Sequence, residues 1–145
     1  MALSFNSQGN LHQTIALTYE EFVTHFGTNP KRMQQITNAL RFFKIFFQCG
    51  CATVYIDGSF VSKKKYPEDI DLCFDITTLD EEKLKKEFPA FFDPNKLGKI
   101  HRDFQCHIFY FTETYTFLLD MLKEDRDGNL KGLVKLDLND MGNYD

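Results

Sequence analysis

The sequence predicts an α/β (α+β) fold, a small mixed sheet flanked by helices, and three observations carry that expectation. Apolar residues recur every three or four positions from Met33 to Phe47, then give way to β-branched and aromatic runs at Ala52–Asp57 and Asp69–Ile76. The 145 residues are 43% hydrophobic and 26% charged, the size and balance of one ordinary folded domain. Sixteen Phe and no Trp mean that the core must be built from flat rings and aliphatics.

In chain order, residues 1–12 are polar and predict an extended N-terminal arm. Thr18 is placed as an N-cap, with Glu20 and Glu21 in the first turn of a short helix that Gly27 ends. Asn29-Pro30 opens a longer helix, with Asn at the cap and Pro at the first helical position. Its stripe is Met33, Ile36, Leu40, Phe43 and Phe47; Phe42, Ile45 and Phe46 make the second half apolar nearly all round, which predicts deep burial there before Gly50 stops it. Strands follow at Ala52–Asp57 and Asp69–Ile76. Thr78 and Glu81 form a candidate capping box for a charged helix to about Phe88. Pro89, Pro94, Asn95 and Gly98 predict an irregular connection. A third strand spans Phe104–Thr112, a short helix Tyr115 to about Lys123, a turn Asp127-Gly128-Asn129, and a last strand Leu133–Leu138.

With 21 acidic and 17 basic residues the formal charge is −4, which disfavours broad binding to nucleic acid but leaves room for a local basic site. No apolar run approaches the roughly 20 residues of a membrane span, and Met1–Asn10 lacks the layout of a signal peptide. Cys49, Cys51, Cys73 and Cys106 make no C-x-x-C pair and read as buried structural thiols. A cytoplasmic protein with no membrane partner is expected.

The chemistry concentrates between Val54 and Leu72. Gly58-Ser59 ends a strand with a residue that lets backbone approach a ligand, followed by a hydroxyl that can donate to phosphate. After nine intervening residues, Phe60 to Glu68, Asp69 and Asp71 alternate with Ile70 and Leu72, so strand periodicity turns both carboxylates to one face. Two such charges repel unless a hard cation lies between them, and Mg²⁺ held by one or two carboxylates plus substrate phosphates is the matching complement. The alternative is the solvent-facing side of an edge strand. Asp75 shares that parity but lies roughly 13 Å beyond Asp71, too far for the same ion.

This arrangement resembles the signature of the polymerase-β-like nucleotidyltransferase superfamily: Gly-Ser, a spacer, then Asp-x-Asp between apolar residues. The resemblance implies that Gly58 and Ser59 hold a triphosphate and that Asp69 and Asp71 are catalytic residues and ligands of Mg²⁺ (or Mn²⁺), with a nucleoside triphosphate, taken as ATP, as substrate. The segments Phe26–Pro30, Tyr55–Val61, Glu68–Asp71 and Asp125–Gly132 further resemble an uncharacterised family of small single-domain bacterial and phage proteins bearing this signature. Active superfamily members add a third acid from the next strand. The position aligned with it here is His107, an imidazole able to serve as base or ligand but a poorer partner for Mg²⁺; otherwise it is a half-buried histidine satisfied by a backbone carbonyl. Lys63, Lys64 and Lys65 lie where a triphosphate would need neutralising, though a lysine run is also what a solvated loop looks like. Asp125–Gly132 reads as a turn, with Arg126 and Lys131 its candidates for a functional contact; His12, His25 and His101 read as surface residues.

Two functions are thereby expected to compete. One is transfer of a nucleoside monophosphate to a hydroxyl of a protein or RNA acceptor, in the setting of a toxin–antitoxin or phage-defence module that fold-level analogy suggests. The other is a catalytically inactive nucleotidyltransferase-fold module that binds a nucleotide or a protein partner. A homo-oligomer or a cognate protein partner fits either.

Overall fold

The computed structural model describes residues 3–141. Five strands form one mixed sheet in the order β1-β5-β2-β3-β4: β1 (Ile15–Leu17), β2 (Thr53–Asp57), β3 (Ile70–Asp75), β4 (Cys106–Phe111) and β5 (Val134–Asp137). β2 is antiparallel to both β3 and β5, whereas β1–β5 and β3–β4 run parallel. The helices are α1 (Tyr19–Phe26), α2 (Pro30–Gln48), α3 (Glu81–Glu87), α4 (Pro94–Phe104) and α5 (Phe117–Leu122). This is the mixed α/β architecture the sequence predicts.

The helix starts follow from capping chemistry. Thr18 and Glu21 form a reciprocal capping box at α1, and Asn29 Oδ1 accepts from the Arg32 amide with Pro30 behind it at α2. At α3 the expected cap moves by two residues. Asp80 caps through the Lys83 amide, because the Thr78 hydroxyl instead donates to the Gly50 carbonyl at 2.7 Å. The larger departure is α4, which replaces the expected irregular connection. Asp93 caps it and Pro94 opens it, the same device as Asn29-Pro30. A parallel β3–β4 pair needs a long crossover, and α3 with α4 supplies it.

The amino terminus also departs from expectation. Residues 3–12 are no extended arm: Asn6 Oδ1 accepts from the Gln8 and Asn10 amides, Phe5 pairs with Leu11, and Leu11 is buried. β1 then follows, a three-residue edge strand too short to carry a periodicity of its own.

Alternation divides β3 between two layers. Ile70, Leu72 and Phe74 enter the main core under the long helix, where Phe46 stacks on Phe74 at 3.9 Å and Phe42 and Phe43 are buried beside it. Phe47 breaks the expected all-round burial of α2 and is 42% exposed. Cys73, on the other face, joins Phe111, Leu119, Leu122 and Leu133 in a smaller core beneath α5. All four cysteines are free and buried. Among the described residues, no helix is long and apolar enough to cross a membrane.

Candidate functional site

Three residues in register make the floor of the site. Asp57 at the end of β2 pairs with Asp71 on β3, and Asp71 pairs with His107 on β4. Partners in register lie about 5 Å apart with side chains on one face, so the row Asp57–Asp71–His107 crosses three strands on the face opposite the main core. Asp69 has the parity of Asp71 and stands just before β3, whose first residue is Ile70.

Gly58 closes the row from above. It opens a 3₁₀ turn over Gly58–Val61 with φ of +83°, a conformation that favours glycine. A Cβ there would come within 2.8 Å of Asp71 Oδ2. Two separate constraints therefore require glycine: the backbone angle and the carboxylate packed against it. Ser59 follows on the same turn, and among the described residues no hydrogen bond engages its hydroxyl. Asp75, by contrast, is taken up locally by the Thr77 amide and hydroxyl.

Two histidines reach the carboxylates from the crossover side. His101 on α4 meets Asp69 Oδ2 through Nε2 at 2.8 Å, and its ring stacks on His107 at 4.4 Å. His107 Nδ1 lies 3.8 Å from Asp71 Oδ1, an ion-pair distance rather than a hydrogen bond. Reading His101 as a surface residue is thus corrected, and the cause is the missed helix α4. Its last turn carries the imidazole back to β3. His25 is half-buried, and only His12 is exposed as expected.

A sixth group, Lys131, comes from the far end of the chain. Lys131 Nζ lies 3.2 Å from Asp57 Oδ1 and donates to Oδ2 across 3.5 Å. The segment Asp125–Gly132 is built to deliver it. Asp125 Oδ1 accepts from the Asp127 and Asn129 amides, Gly128 turns at φ +79°, and the Lys131 amide returns to the Lys123 carbonyl. Gly132 then passes so close to Gln13 that a Cβ would sit 2.1 Å from its carbonyl oxygen. The segment is a turn, as its composition predicts, and its product is a lysine against a buried aspartate.

Asp57 is the acid that sequence reasoning passed over. It is 2% exposed, and Oδ1 has no aligned hydrogen bond despite the nearby ammonium. Burial pushes its carboxyl above the usual range, with Lys131 pulling the other way. Asp71 is pushed up to about 7, first by burial, then by the charges of Asp69 and Asp57, against the opposing pull of Lys131 and His101. His107 is displaced downward, chiefly by burial and then by the neighbouring His101, and so favours the neutral imidazole. Three carboxylates crowd one sheet end with one lysine among them, so negative charge there is under-compensated.

Whether a divalent cation suits these residues is a question of donor chemistry. Among the described residues, no three His, Cys, Asp or Glu side chains converge tightly enough to hold an ion by themselves. Mg²⁺ does not require such a cage, since it is characteristically held by one or two carboxylates and the oxygens of its phosphate ligand. Asp57 already has the Lys131 ammonium 3.2 Å from Oδ1, whereas the raised carboxyl of Asp71, crowded by Asp69 and Asp57, is where added positive charge would be stabilising. By donor chemistry alone, Asp69 and Asp71 are the two carboxylates that would share such an ion with a phosphate ligand.

Lys63, Lys64 and Lys65 stand elsewhere. They line a separate cavity beside Arg32 and Ser62, and among the described residues they make no hydrogen bond or ion pair with the carboxylate cluster. Residues 3–137 match the family described as a family of unknown function (DUF6932). The chain belongs to that family. No curated protein and no solved structure matches the chain significantly. The family spans every residue of the cluster, from Asp57 to Lys131.

Proposed function

We propose that this member of the family is a metal-dependent nucleotidyltransferase, which moves a nucleoside monophosphate from a nucleoside triphosphate, taken as ATP, to a hydroxyl of a protein or RNA acceptor. The observation that carries the reading is the junction of Gly58-Ser59 with Asp71. A glycine turn at positive φ lies against a carboxylate raised to about 7, first by burial and then by its acidic neighbours.

Asp69 and Asp71 would hold Mg²⁺ or Mn²⁺, which when bound neutralises charge on the triphosphate oxygens and polarises the reacting phosphoryl group. The chain's own groups do the rest. The turn after β2 brings backbone and the free Ser59 hydroxyl to the phosphates. His101 orients Asp69 through its 2.8 Å contact. His107, disposed to the neutral form, accepts the proton of the attacking hydroxyl. The acceptor oxygen bonds to the α-phosphorus, the bond from that phosphorus to the bridging oxygen breaks, and pyrophosphate leaves. A cytoplasmic setting and a place in a toxin–antitoxin or phage-defence module belong to this reading.

A second reading rests on His107 itself. An imidazole where superfamily members carry an acid fits a module that binds nucleotide or a partner without turnover. Incubation with each α-labelled nucleoside triphosphate, Mg²⁺ or Mn²⁺ and candidate acceptors separates the two. Label transfer abolished by Asp69→Asn and Asp71→Asn supports the enzyme, whereas metal-dependent binding without turnover on any acceptor supports the module. Absence of metal-dependent nucleotide binding sinks both.

A further inference from the structure

The lysine run is an exposed loop, but its backbone is held in place. Arg32 is 3% exposed, and its guanidinium donates to the carbonyls of Phe26, Phe60, Ser62 and Lys64. Asn29 Nδ2 donates to the Lys65 carbonyl at 2.8 Å, the Lys63 amide donates to Gly9, and the Lys64 amide to Ser62 Oγ. The backbone from Phe60 to Lys65 is therefore pinned, carbonyl by carbonyl, onto the first turn of α2. Its three ammonium groups are carried by an ordered strap.

That strap walls a cavity of about 430 Å³, lined by His25, Arg32, Ser62 and Lys63–Lys65 among others, with no carboxylate in its lining. Among the described residues Arg32 has neutral partners, four carbonyls and the Phe60 ring 4.8 Å away, so its charge is hydrogen-bonded without being neutralised. Four permanently charged residues thus line one concavity of a chain whose net charge is −4, with the Lys65 ammonium turned over the Tyr66 ring at its edge. The three lysines are exposed to water at the rim, and the buried guanidinium beneath them adds a permanent positive charge with no acid beside it, which an entering anion would offset. A phosphate group, with several acceptor oxygens for ammonium donors, is the anion that such a set recognises.

We propose that the cavity between α2 and the Phe60–Lys65 strap is a phosphate-binding site distinct from the carboxylate cluster. It does not depend on the proposed transfer reaction, and its ligand needs no metal. The phosphate can come from the tail of a nucleotide or from the backbone of an RNA acceptor.

The test is calorimetric titration in EDTA at physiological ionic strength, with inorganic pyrophosphate, ATP and a single-stranded hexaribonucleotide as separate probes. The native chain is expected to bind pyrophosphate. The joint change of Lys63, Lys64 and Lys65 to Ala should weaken binding at least about tenfold, since several charged contacts are lost together. Lys64→Glu should weaken it in the same direction, and circular dichroism should show both variants folded. Asp71→Asn should still bind pyrophosphate even if it abolishes label transfer, which separates failure of this site from failure of the transferase reading. ATP that matches and competes with pyrophosphate assigns the site to the nucleotide tail. A hexaribonucleotide that binds more tightly and displaces pyrophosphate assigns it to the acceptor. No binding of any probe, or unchanged binding in the lysine variants, overturns the proposal.

Discussion

Asp71 sets the chemistry of the site at the scale of single residues, and its ionisation makes a signed prediction. Its carboxyl is raised to about 7 in the folded chain, whereas an unfolded aspartate titrates near pH ~4. Between those values the folded state binds the extra proton, so the contribution of Asp71 to metal-free stability is greatest below pH ~4 and is lost as the pH rises through about 7. Urea midpoints measured in EDTA from pH 4 to 8 should show this decline against a flatter profile for Asp71→Asn, and equal slopes would refute it. Gly58→Ala meets both a positive φ and a carboxylate at 2.8 Å, and should cost about 1–3 kcal/mol of stability on denaturant unfolding. Lys131→Met strands the buried Asp57 carboxylate, with an expected loss of about 3–5 kcal/mol. The double change with Asp57→Asn should cost less than the sum of the singles, and a strictly additive cycle would show that the pair is not coupled.

Among the elements, α4 decides most. It closes the parallel crossover from β3 to β4 and carries His101 to Asp69. The signals for it were present in the sequence. Asp93-Pro94 repeats the Asn29-Pro30 start, and Leu97, Ile100 and Phe104 recur at helical spacing. Pro and Gly in a short stretch weighed toward a loop instead, although Pro is at home in the first helical turn and Gly98 only weakens the interior. Gly98 has open space around it: the nearest atom to an added Cβ is the guanidinium of Arg102, at 3.7 Å. Gly98→Ala should therefore stabilise the protein by about 0.5–1 kcal/mol. A lower melting temperature for this variant would mean that α4 is held in place by something other than helix propensity.

Across the whole molecule, the sheet separates structural from chemical residues by alternation. The thiols are dry on both faces, Cys73 in the smaller core on the carboxylates' face and the others in the main core: burial pushes Cys51, Cys73 and Cys106 up to about 12, and burial raises Cys49 as well. Thiolate is the reactive form, so at pH 8 native protein should react with a disulfide reagent only as fast as it opens, and all four thiols should react promptly in denaturant. Rapid native labelling would contradict the burial. What the sequence determined alone was whatever depends on neighbours along the chain. The caps at Thr18 and Asn29, the period of α2, the alternation of β3, and the facing of Asp69 with Asp71 are all local, because capping and periodicity act within a few residues. The aligned position of His107 was also legible, and the parallel register sets it beside Asp71. Tertiary structure alone decided that Asp57 would be a third acid, that Lys131 would reach it across 74 residues, and that Arg32 would hold the backbone of the lysine strap against α2. Those outcomes depend on which strands and loops become neighbours in space, and on how a charge behaves once water is excluded; neither is written in any short stretch of chain.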